Sequence, residues 1–266
     1  MNATACASTA REYDAFAPFY DDFTAASDYE TWTGHVLELA ASLGLTGRSL
    51  LDLACGTGKS FLPFLERGFE VTACDASSAM LEEAARKAPG VTLVHEDVRE
   101  LGSLGRFDLV TCFDDSLNYL LDEDDLSRSF GSIAASLHPA GLALFDLNTL
   151  LAYRTIFASD AVTVRDEAVF AWQGETAADA PPGCLAAAQL EIFAPRDGGL
   201  YERVRSRHVQ RHIPAARVTA LLGEAGLDCL GVHGVRDDGS LEPQLDETRH
   251  LKVLYAARLT KGGDTP

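Results

Sequence analysis

The stretch LLDLACGTG, residues 50–58, joins a short apolar run to a glycine-rich turn. Apolar residues dominate positions 49–54 and predict a short buried strand, and the pattern over 59–67 predicts a helix. Gly56 and Gly58 allow the backbone to turn tightly and to approach a ligand with no Cβ in the way. The stretch therefore predicts a ligand-binding turn at the end of a strand.

Short apolar strands and amphipathic helices alternate on both sides of this turn. Such alternation indicates βαβ units and a mostly parallel sheet with helices on its faces. After a helix at 215–224, we expect strands at 229–235 and 251–258 to close the sheet as an antiparallel pair. The other expected strands lie at 70–74, 91–95, 107–113 and 142–147, and the other expected helices at 32–43, 78–87 and 126–137.

The pattern changes after Thr149, where helices become rare. Residues 162–172, 185–193 and 204–212 are typical of strands separated by polar loops, which predicts an antiparallel unit. The chain is thus expected to have three parts. These are N-terminal lid helices over 1–46, a main α/β domain formed by 47–149 and 214–266, and an antiparallel insertion over 150–213 that covers the substrate.

Acidic residues stand at the ends of the first three expected strands. Asp52 ends the first strand, and Asp75, about twenty residues further on, ends the second, where an acid can bind the hydroxyls of a ribose. Glu96 and Asp97 end the third strand, where they can accept a hydrogen bond from an adenine amino group. Each acid alone is weak evidence, since Asp75 is also suited to cap a helix. Their order along the chain predicts a nucleoside site.

The composition argues against several kinds of partner. The chain has 40 acidic and 22 basic residues and a formal charge of −18, whereas nucleic-acid binding usually needs a basic surface. No run of about 20 apolar residues is present to span a membrane, and the N-terminus lacks the features of a secretory signal, so we expect a cytoplasmic protein. The six cysteines are scattered without a CxxC pair, so we expect no metal site. A small or cationic substrate suits this charge.

Five motifs, in their order along the chain, resemble those of the class I S-adenosylmethionine-dependent methyltransferases. They are DLACGTG at 52–58, CDASSAML at 74–81, HEDV at 95–98, FDLVTCFDDSLNYL at 107–120 and LHPAGLALFDLN at 137–148. The resemblance covers about residues 11–149 plus the closing helix and strands. It implies a Rossmann-like doubly wound α/β fold, with a seven-stranded sheet and a small antiparallel β insertion after the fifth strand.

The resemblance implies S-adenosylmethionine as the cofactor. A dinucleotide fingerprint would need a third glycine where Phe61 stands, and Ala54 replaces the glycine that is commoner in the first motif. For Met80, packing in a helix core is an equal alternative to contact with adenine. The positions that match cofactor-binding residues of the family are Tyr20, Trp32, Asp52, Ala54, Gly56, Gly58, Asp75, Ala76, Met80, Glu96, Asp97, Val98, Phe113 and Asp114.

The N-terminal stretch is similar to the lid helices of small-molecule members of the family. In those helices a Tyr-Asp pair and a later Trp cover the cofactor, and the matching residues here are Tyr20, Asp21 and Trp32. The alternative is that the aromatic residues between 13 and 20 form only the buried face of a helix. The antiparallel insertion and the helix that follows it resemble the amino-sugar N,N-dimethyltransferases and the glycine and sarcosine N-methyltransferases, which implies a roofed pocket for a small acceptor.

We expect an amine-bearing acceptor, because Asp114 and Asp115 follow the fourth strand at the ligand-binding edge, where carboxylates attract a protonated amine. The candidate substrate contacts are Tyr13, Asp115, Asn118, Tyr119 and Asn148. The candidate catalytic residues are Tyr20, Asp115 and His208, with His212 as an alternative to His208.

The leading hypothesis is direct in-line N-methylation of a small amine in natural-product, antibiotic or amino-sugar metabolism. O- or C-methylation of a small molecule is the alternative within the same fold. The acidity opposes tRNA methylation, and the aromatic lid residues oppose a non-catalytic cofactor-binding module. The sequence is compatible with a homodimer.

Overall fold

The chain forms two sheets with surrounding helices, and the computed structural model describes residues 3–260, with side chains from residue 12. The predicted lid helices begin at residue 1 and the predicted main domain ends at residue 266, so residues 1–2 and 261–266 of these segments lie outside the described residues. Within the described range, no helix has the length and apolar character needed to cross a membrane.

The strands are β1 (Ser49–Leu53), β2 (Glu70–Asp75), β3 (Thr92–His95), β4 (Phe107–Cys112), β5 (Leu137–Asn148), β6 (Ala161–Arg165), β7 (Ala168–Gly174), β8 (Leu185–Arg196), β9 (Leu200–Arg211), β10 (Leu227–Val235), β11 (Leu241–Glu242) and β12 (Lys252–Leu259). The α-helices are α1 (Ala3–Phe23), α2 (Tyr29–Ser42), α3 (Leu62–Glu66), α4 (Ser78–Lys87), α5 (Glu123–Ala135), α6 (Leu150–Thr155) and α7 (Ala215–Glu224).

The central sheet has the strand order β11-β10-β12-β5-β4-β1-β2-β3. Strands β1 to β5 run parallel, and β12 lies antiparallel between β5 and β10. This arrangement confirms the predicted Rossmann-like α/β fold. The sheet has one strand more than the seven that were predicted, because β11 pairs through only two residues and is too short to give a periodic pattern.

Apolar layers cover both faces of the central sheet. On one face, Phe130 of α5 packs on Phe145, whose ring stacks on Tyr255 at a centroid distance of 5.1 Å. On the other face, Val36 of α2 and Phe64 of α3 belong to a second buried cluster. Because helices cover both faces, a ligand can reach the sheet at the edge where the parallel strands have their carboxyl ends.

The elements β5 and α5 begin earlier than predicted. β5 starts at Leu137 rather than at 142, since a register shift against β4 accommodates Pro139 and Gly141 inside the strand. α5 starts at Glu123 rather than at 126. The carboxylate of Asp122 accepts a hydrogen bond from the Asp125 N–H at 2.9 Å and caps the helix.

The second sheet has the order β6-β7-β8-β9 and is antiparallel throughout, as predicted for the insertion. The short helix α6 precedes it and was not predicted. The single strand predicted over 162–172 is a hairpin, with Asp166 and Glu167 in the left-handed region at φ 44° and 72°. No glycine or proline marks this turn, and the charged residues at 165–167 did not by themselves indicate it.

Helix α1 contacts both the central domain and the second sheet. Asp14 accepts a hydrogen bond from the Ser77 hydroxyl at 2.6 Å, and Glu12 accepts one from the Arg207 N–H at 3.0 Å. Phe16 is only 2% exposed and belongs to a cluster that includes residues of α4, β7 and β8. The helix therefore has the buried face that the alternative interpretation required, while other side chains of it line a cavity.

Candidate cofactor and acceptor site

A cavity of about 360 Å³ opens where the parallel strands end and α1 passes over them. Thirteen of the predicted site residues line it, namely Tyr13, Tyr20, Ala54, Gly56, Asp75, Ala76, Met80, Glu96, Asp97, Val98, Phe113, Asp114 and Tyr119. Further lining residues that the sequence analysis missed include Tyr29, Cys55, Lys59, Ser60, Ser77, Arg99, Ser116, Leu120, Leu121, Asp122 and Asp125.

The cavity has two ends of different chemistry. We call one the glycine end, formed by the loops after β1, β2 and β3. We call the other the tyrosine end, which comprises Tyr13, Tyr20, Tyr29, Tyr119 and Asp114.

The turn after β1 requires left-handed backbone at three positions, with φ 51° at Ala54, 53° at Gly56 and 90° at Gly58. A Cβ on Gly56 would meet no atom closer than the Met80 sulfur at 4.0 Å and would occupy cavity space. A Cβ on Gly58 would lie 2.8 Å from the Phe61 ring, so this glycine is needed for packing and not for contact with a ligand. Gly58 accordingly does not line the cavity.

Asp75 fixes this turn from the end of β2. Its two carboxylate oxygens accept the N–H groups of Gly56 and Ser77, both at 2.8 Å. Ser77, rather than Asp75, caps α4 by accepting the Met80 N–H at 3.1 Å. Burial raises the pKa of Asp75 above its usual value. Asp75 is thus a cavity residue and not the helix cap.

Asp52 lies beneath the cavity, which corrects the expectation of direct contact. It is 1% exposed, and its oxygens accept hydrogen bonds from Ser60 and Thr111, each at 2.6 Å. Burial raises the pKa of Asp52 to about 7, although both hydroxyl groups favour the ionised form. Its position supports the floor of the site.

The loop after β3 carries an ion-pair network. Arg99 binds both oxygens of Asp97, at 2.9 and 2.7 Å, and also contacts Asp125 at 2.7 Å. Glu96 accepts the Gly102 N–H at 2.8 Å. Arg99 follows directly after the third motif, so its proximity to Asp97 was the available signal for this missed residue.

At the tyrosine end, the Tyr29 hydroxyl donates to Asp114 at 2.7 Å. Burial raises the pKa values of Tyr20 and Tyr29, so both hydroxyl groups stay protonated. The Trp32 ring does not line the cavity and packs edge-on against the cavity residue Phe113 at 5.5 Å, so its contact with a cofactor stays a prediction.

Asp115 also lies outside the cavity wall, contrary to expectation. Its oxygens contact the Lys252 ammonium at 2.7 Å and the Gln210 amide at 2.5 Å. Lys252 was missed in the sequence, although the predicted antiparallel course of the last strand places its start at the ligand-binding edge. Asp114, and not Asp115, is the carboxylate that faces the cavity.

Three other predicted residues join the second sheet to the main domain and do not line the cavity. Asn118 donates to the Arg211 carbonyl and accepts the Asn148 N–H, both at 2.9 Å, while the Asn148 amide donates to Gln210 at 3.0 Å. His208 is 4% exposed and lies 2.8 Å from the Tyr119 hydroxyl.

The two candidate histidines are not placed to take a proton from an acceptor in the cavity. Burial lowers the pKa of His208 to about 4, so His208 is neutral at neutral pH and a poor site for an extra proton. His212, the alternative, accepts the Gly183 N–H at 3.0 Å and faces Glu247 at 3.2 Å. It too is absent from the cavity wall.

The fold and the cavity define a class I S-adenosylmethionine-dependent methyltransferase, and the chain belongs to this family. A family model described as a methyltransferase domain matches residues 50–141. The chain is similar to the putative methyltransferase YqeM of Bacillus subtilis (strain 168), with 33% identity over 255 residues, 94% of this chain and 98% of that protein.

Two further similarities concern function and fold. A dTDP-4-amino-2,3,4,6-tetradeoxy-D-glucose N,N-dimethyltransferase of Saccharopolyspora spinosa is 33% identical over 132 residues, 49% of this chain and 53% of that protein. An S-adenosylmethionine-dependent methyltransferase structure from Clostridium acetobutylicum ATCC 824 aligns with a TM-score of 0.78 and 27% identity, covering 94% of this chain and 99% of that one. The protein is therefore a methyltransferase that uses S-adenosylmethionine as the methyl donor.

Proposed function

We propose that the enzyme transfers the methyl group to the nitrogen of a small amine. The observation that carries this proposal is Asp114, a carboxylate on the cavity wall among four tyrosines. A carboxylate attracts an ammonium group and disfavours anionic acceptors, and aromatic faces also attract cations. The charge argument that the sequence analysis made for Asp114 and Asp115 together thus rests on Asp114.

The glycine end is suited to the cofactor. Gly56 leaves room for a ligand beside the backbone, Asp75 is placed to meet ribose hydroxyls, and Met80 and Val98 offer apolar contact to a purine. Once bound there, S-adenosylmethionine supplies an already activated methyl group. The protein then has to align the acceptor with that group and exclude water.

The tyrosine end is suited to orienting an amine without a strong base. An amine becomes a nucleophile when it loses its proton, so an ammonium group held by Asp114 has to release that proton to solvent before methyl transfer. Tyr20 and Tyr29 stay protonated, so we assign them to orientation rather than proton removal. In this proposal, Asp114 holds the acceptor, and His208 and Asp115 are no longer candidate catalytic groups.

Helix α1 and the second sheet form the proposed cover of the acceptor. Tyr13 and Tyr20 extend from α1 into the cavity, and Gln210 of β9 supports the Asp115 carboxylate beside it. The similarity to an amino-sugar N,N-dimethyltransferase favours an amino sugar or a related natural-product intermediate as the acceptor.

Matched acceptor pairs test the proposal. Purified enzyme with methyl-labelled cofactor is incubated with glucosamine and glucose, and with other amine and alcohol pairs of one skeleton each. We expect label on nitrogen, with rates that climb with pH as the neutral amine appears. Label found only on oxygen or carbon, or only on carboxylate and phosphate acceptors, would contradict the proposal and leave O- or C-methylation as the function.

A further inference from the structure

We infer that Lys252 is a positioning residue of the tyrosine end, whose ammonium group holds Asp115 and Asp146 and thereby presents Asp114 to the acceptor. This inference rests on the proposed N-methylation, since it concerns how the amine-facing carboxylate is held. Lys252, Asp115 and Asp146 do not line the cavity, whereas Asp114 does. Lys252 therefore acts through its neighbours.

The antiparallel direction of β12 brings Lys252 to this place. Lys252 is the first residue of β12 and aligns with Asn148, the last residue of β5. The parallel strands β4 and β5 end at the same edge, so the start of β12 lies beside their ends. The ammonium nitrogen is 2.7 Å from Asp115, 3.3 Å from Asp146 and 3.8 Å from Asp114.

The backbone at Asp114 and Asp115 depends on these contacts. Both residues have left-handed φ angles, 57° and 50°, which residues other than glycine rarely adopt and which persist where the surroundings fix them. The Asp115 N–H donates to Asp146 at 2.6 Å. Lys252 thus binds the side chain of Asp115 and also the carboxylate that holds the Asp115 backbone.

The charged groups at this corner are three carboxylates and one ammonium group, and the carboxylates differ in how closely they contact that ammonium group. The groups that face the corner are Asp114, Asp115, Asp146 and Lys252, together with the Tyr29 hydroxyl and the neutral Gln210. Across the cavity, the Lys59 ammonium lies 5.1 Å above the Tyr29 ring and interacts with Asp114, and the protonated Tyr20 and Tyr119 hydroxyl groups interact with Asp114 and Asp115 respectively. Burial lowers the pKa of Lys252, but the three carboxylates more than reverse this effect and hold that pKa well above its usual value. Lys252 stays charged, so Asp115 and Asp146 stay paired with it.

Asp114 is the least constrained carboxylate of the corner. Its side chain is 39% exposed, compared with 20% for Asp115 and 4% for Asp146. Its nearer partner is the Tyr29 hydroxyl at 2.7 Å, a neutral group. An acceptor ammonium would therefore find Asp114 available and the other two carboxylates already occupied.

The first test needs no acceptor. Lys252→Met removes the charge at nearly constant length, Lys252→Arg keeps it, and Arg249→Met removes an exposed charge of the same sign nearby. Carboxyl carbon NMR of the protein bound to S-adenosylhomocysteine follows the titration of Asp146, whose pKa burial raises to about 6. Loss of the ammonium should raise that pKa by roughly 1–3 pH units, while Lys252→Arg and Arg249→Met should leave it near the native value.

The second test uses glucosamine as the amine probe. In Lys252→Met we expect the KM for glucosamine to rise about tenfold, because a displaced Asp114 loses its charged contact with the amine. The Kd of S-adenosylhomocysteine should stay within about twofold of the native value. Lys252→Arg should restore most of the KM. If Lys252→Met fails to fold, Lys252→Gln is measured in its place with both readouts.

The outcomes separate this inference from the proposed function. An unchanged Asp146 titration, or a glucosamine KM in Lys252→Met equal to that of Arg249→Met, overturns the role of Lys252. If the Asp146 titration shifts as expected but the native enzyme methylates no amine in the matched-pair screen, the proposed N-methylation fails while Lys252 still organises the corner. A shifted titration with a raised KM bears out both.

Discussion

The two ends of the cavity are built in different ways. The glycine end consists of short segments at the ends of strands, such as Ala54 to Gly56 after β1 and Asp75 to Ser77 at the end of β2. The tyrosine end combines residues that are distant in the sequence, with Tyr13 from α1, Tyr29 from α2 and Tyr119 after β4. The first end is thus encoded locally, and the second exists only in the folded chain.

The polar contacts of Asp75 also differ from those of Asp114 and Asp115. At the glycine end, backbone N–H groups bind Asp75. At the tyrosine end, side chains bind Asp114 and Asp115, through Tyr29, Gln210 and Lys252. Substitutions at the glycine end should therefore disturb the turn that meets the cofactor, and substitutions at the tyrosine end should change charge with little effect on the cofactor.

The largest effect on binding is expected for Asp75→Ala. The change removes the acceptor of two backbone hydrogen bonds and the proposed ribose contact, so S-adenosylhomocysteine should bind more weakly by roughly 1–3 kcal/mol. Isothermal titration calorimetry measures this loss. The control is Asp179→Ala, which changes an exposed aspartate outside the cavity. Equal affinity in Asp75→Ala and the control would leave Asp75 with no part in cofactor binding.

Asp52 predicts a pH dependence of stability. Burial raises the pKa of Asp52 to about 7 in the folded state, above its value in the unfolded chain, so its contribution is full at low pH and declines as pH rises through about 7. Asp52→Asn, which cannot ionise, should remove about 2 kcal/mol of the decline in unfolding free energy between pH 5 and pH 8. Urea denaturation at both pH values checks this, and identical pH profiles for the two proteins would refute it. Burial also raises the pKa of Asp146, so part of the decline in unfolding free energy should persist in Asp52→Asn.

Asp114→Asn tests whether the two ends of the cavity bind different molecules. The change keeps the shape and removes the charge, so kcat/KM for glucosamine should fall about tenfold while the Kd of S-adenosylhomocysteine changes by less than twofold. Steady-state kinetics and calorimetry give the two values. A loss of cofactor affinity as large as the loss in kcat/KM would show that Asp114 belongs to the cofactor site, and that the two ends are not separate.

The cover of the cavity should respond to the cofactor in a graded way. Residues 11–32 of the proposed lid should show slower amide hydrogen exchange when S-adenosylhomocysteine is added, because lids come from regions of low local stability. The segment around Phe16 should change least, since that side chain is already buried. Hydrogen exchange with mass spectrometry measures this, and equal protection with and without ligand would make α1 a fixed part of the core.

The sequence predicted the glycine end well because its signals are local. A turn such as Ala54 to Gly58 and an acid at the end of the next strand are readable without knowing the fold. The mostly parallel sheet and the antiparallel closing pair followed from the β/α alternation and the motifs. Asp52 was the exception, since burial under Ser60 and Thr111 depends on packing that no motif displays.

The sequence was less informative about the tyrosine end. Lys252 and Gln210 reach Asp115 only because β12 is antiparallel and β9 returns to the main sheet. His208 and Asn118 were chosen for their chemistry, but their side chains are used to join the second sheet to the main domain. Polar side chains in such junctions cannot be distinguished from catalytic ones by residue type alone.

The most direct test of the two-ended cavity is a crystal structure of the enzyme bound to S-adenosylhomocysteine. The account predicts the purine at the glycine end, near Met80 and Val98, with the ribose at Asp75 and the sulfur directed towards Asp114 and the tyrosines. A purine bound among the tyrosines, or a sulfur directed away from Asp114, would contradict it.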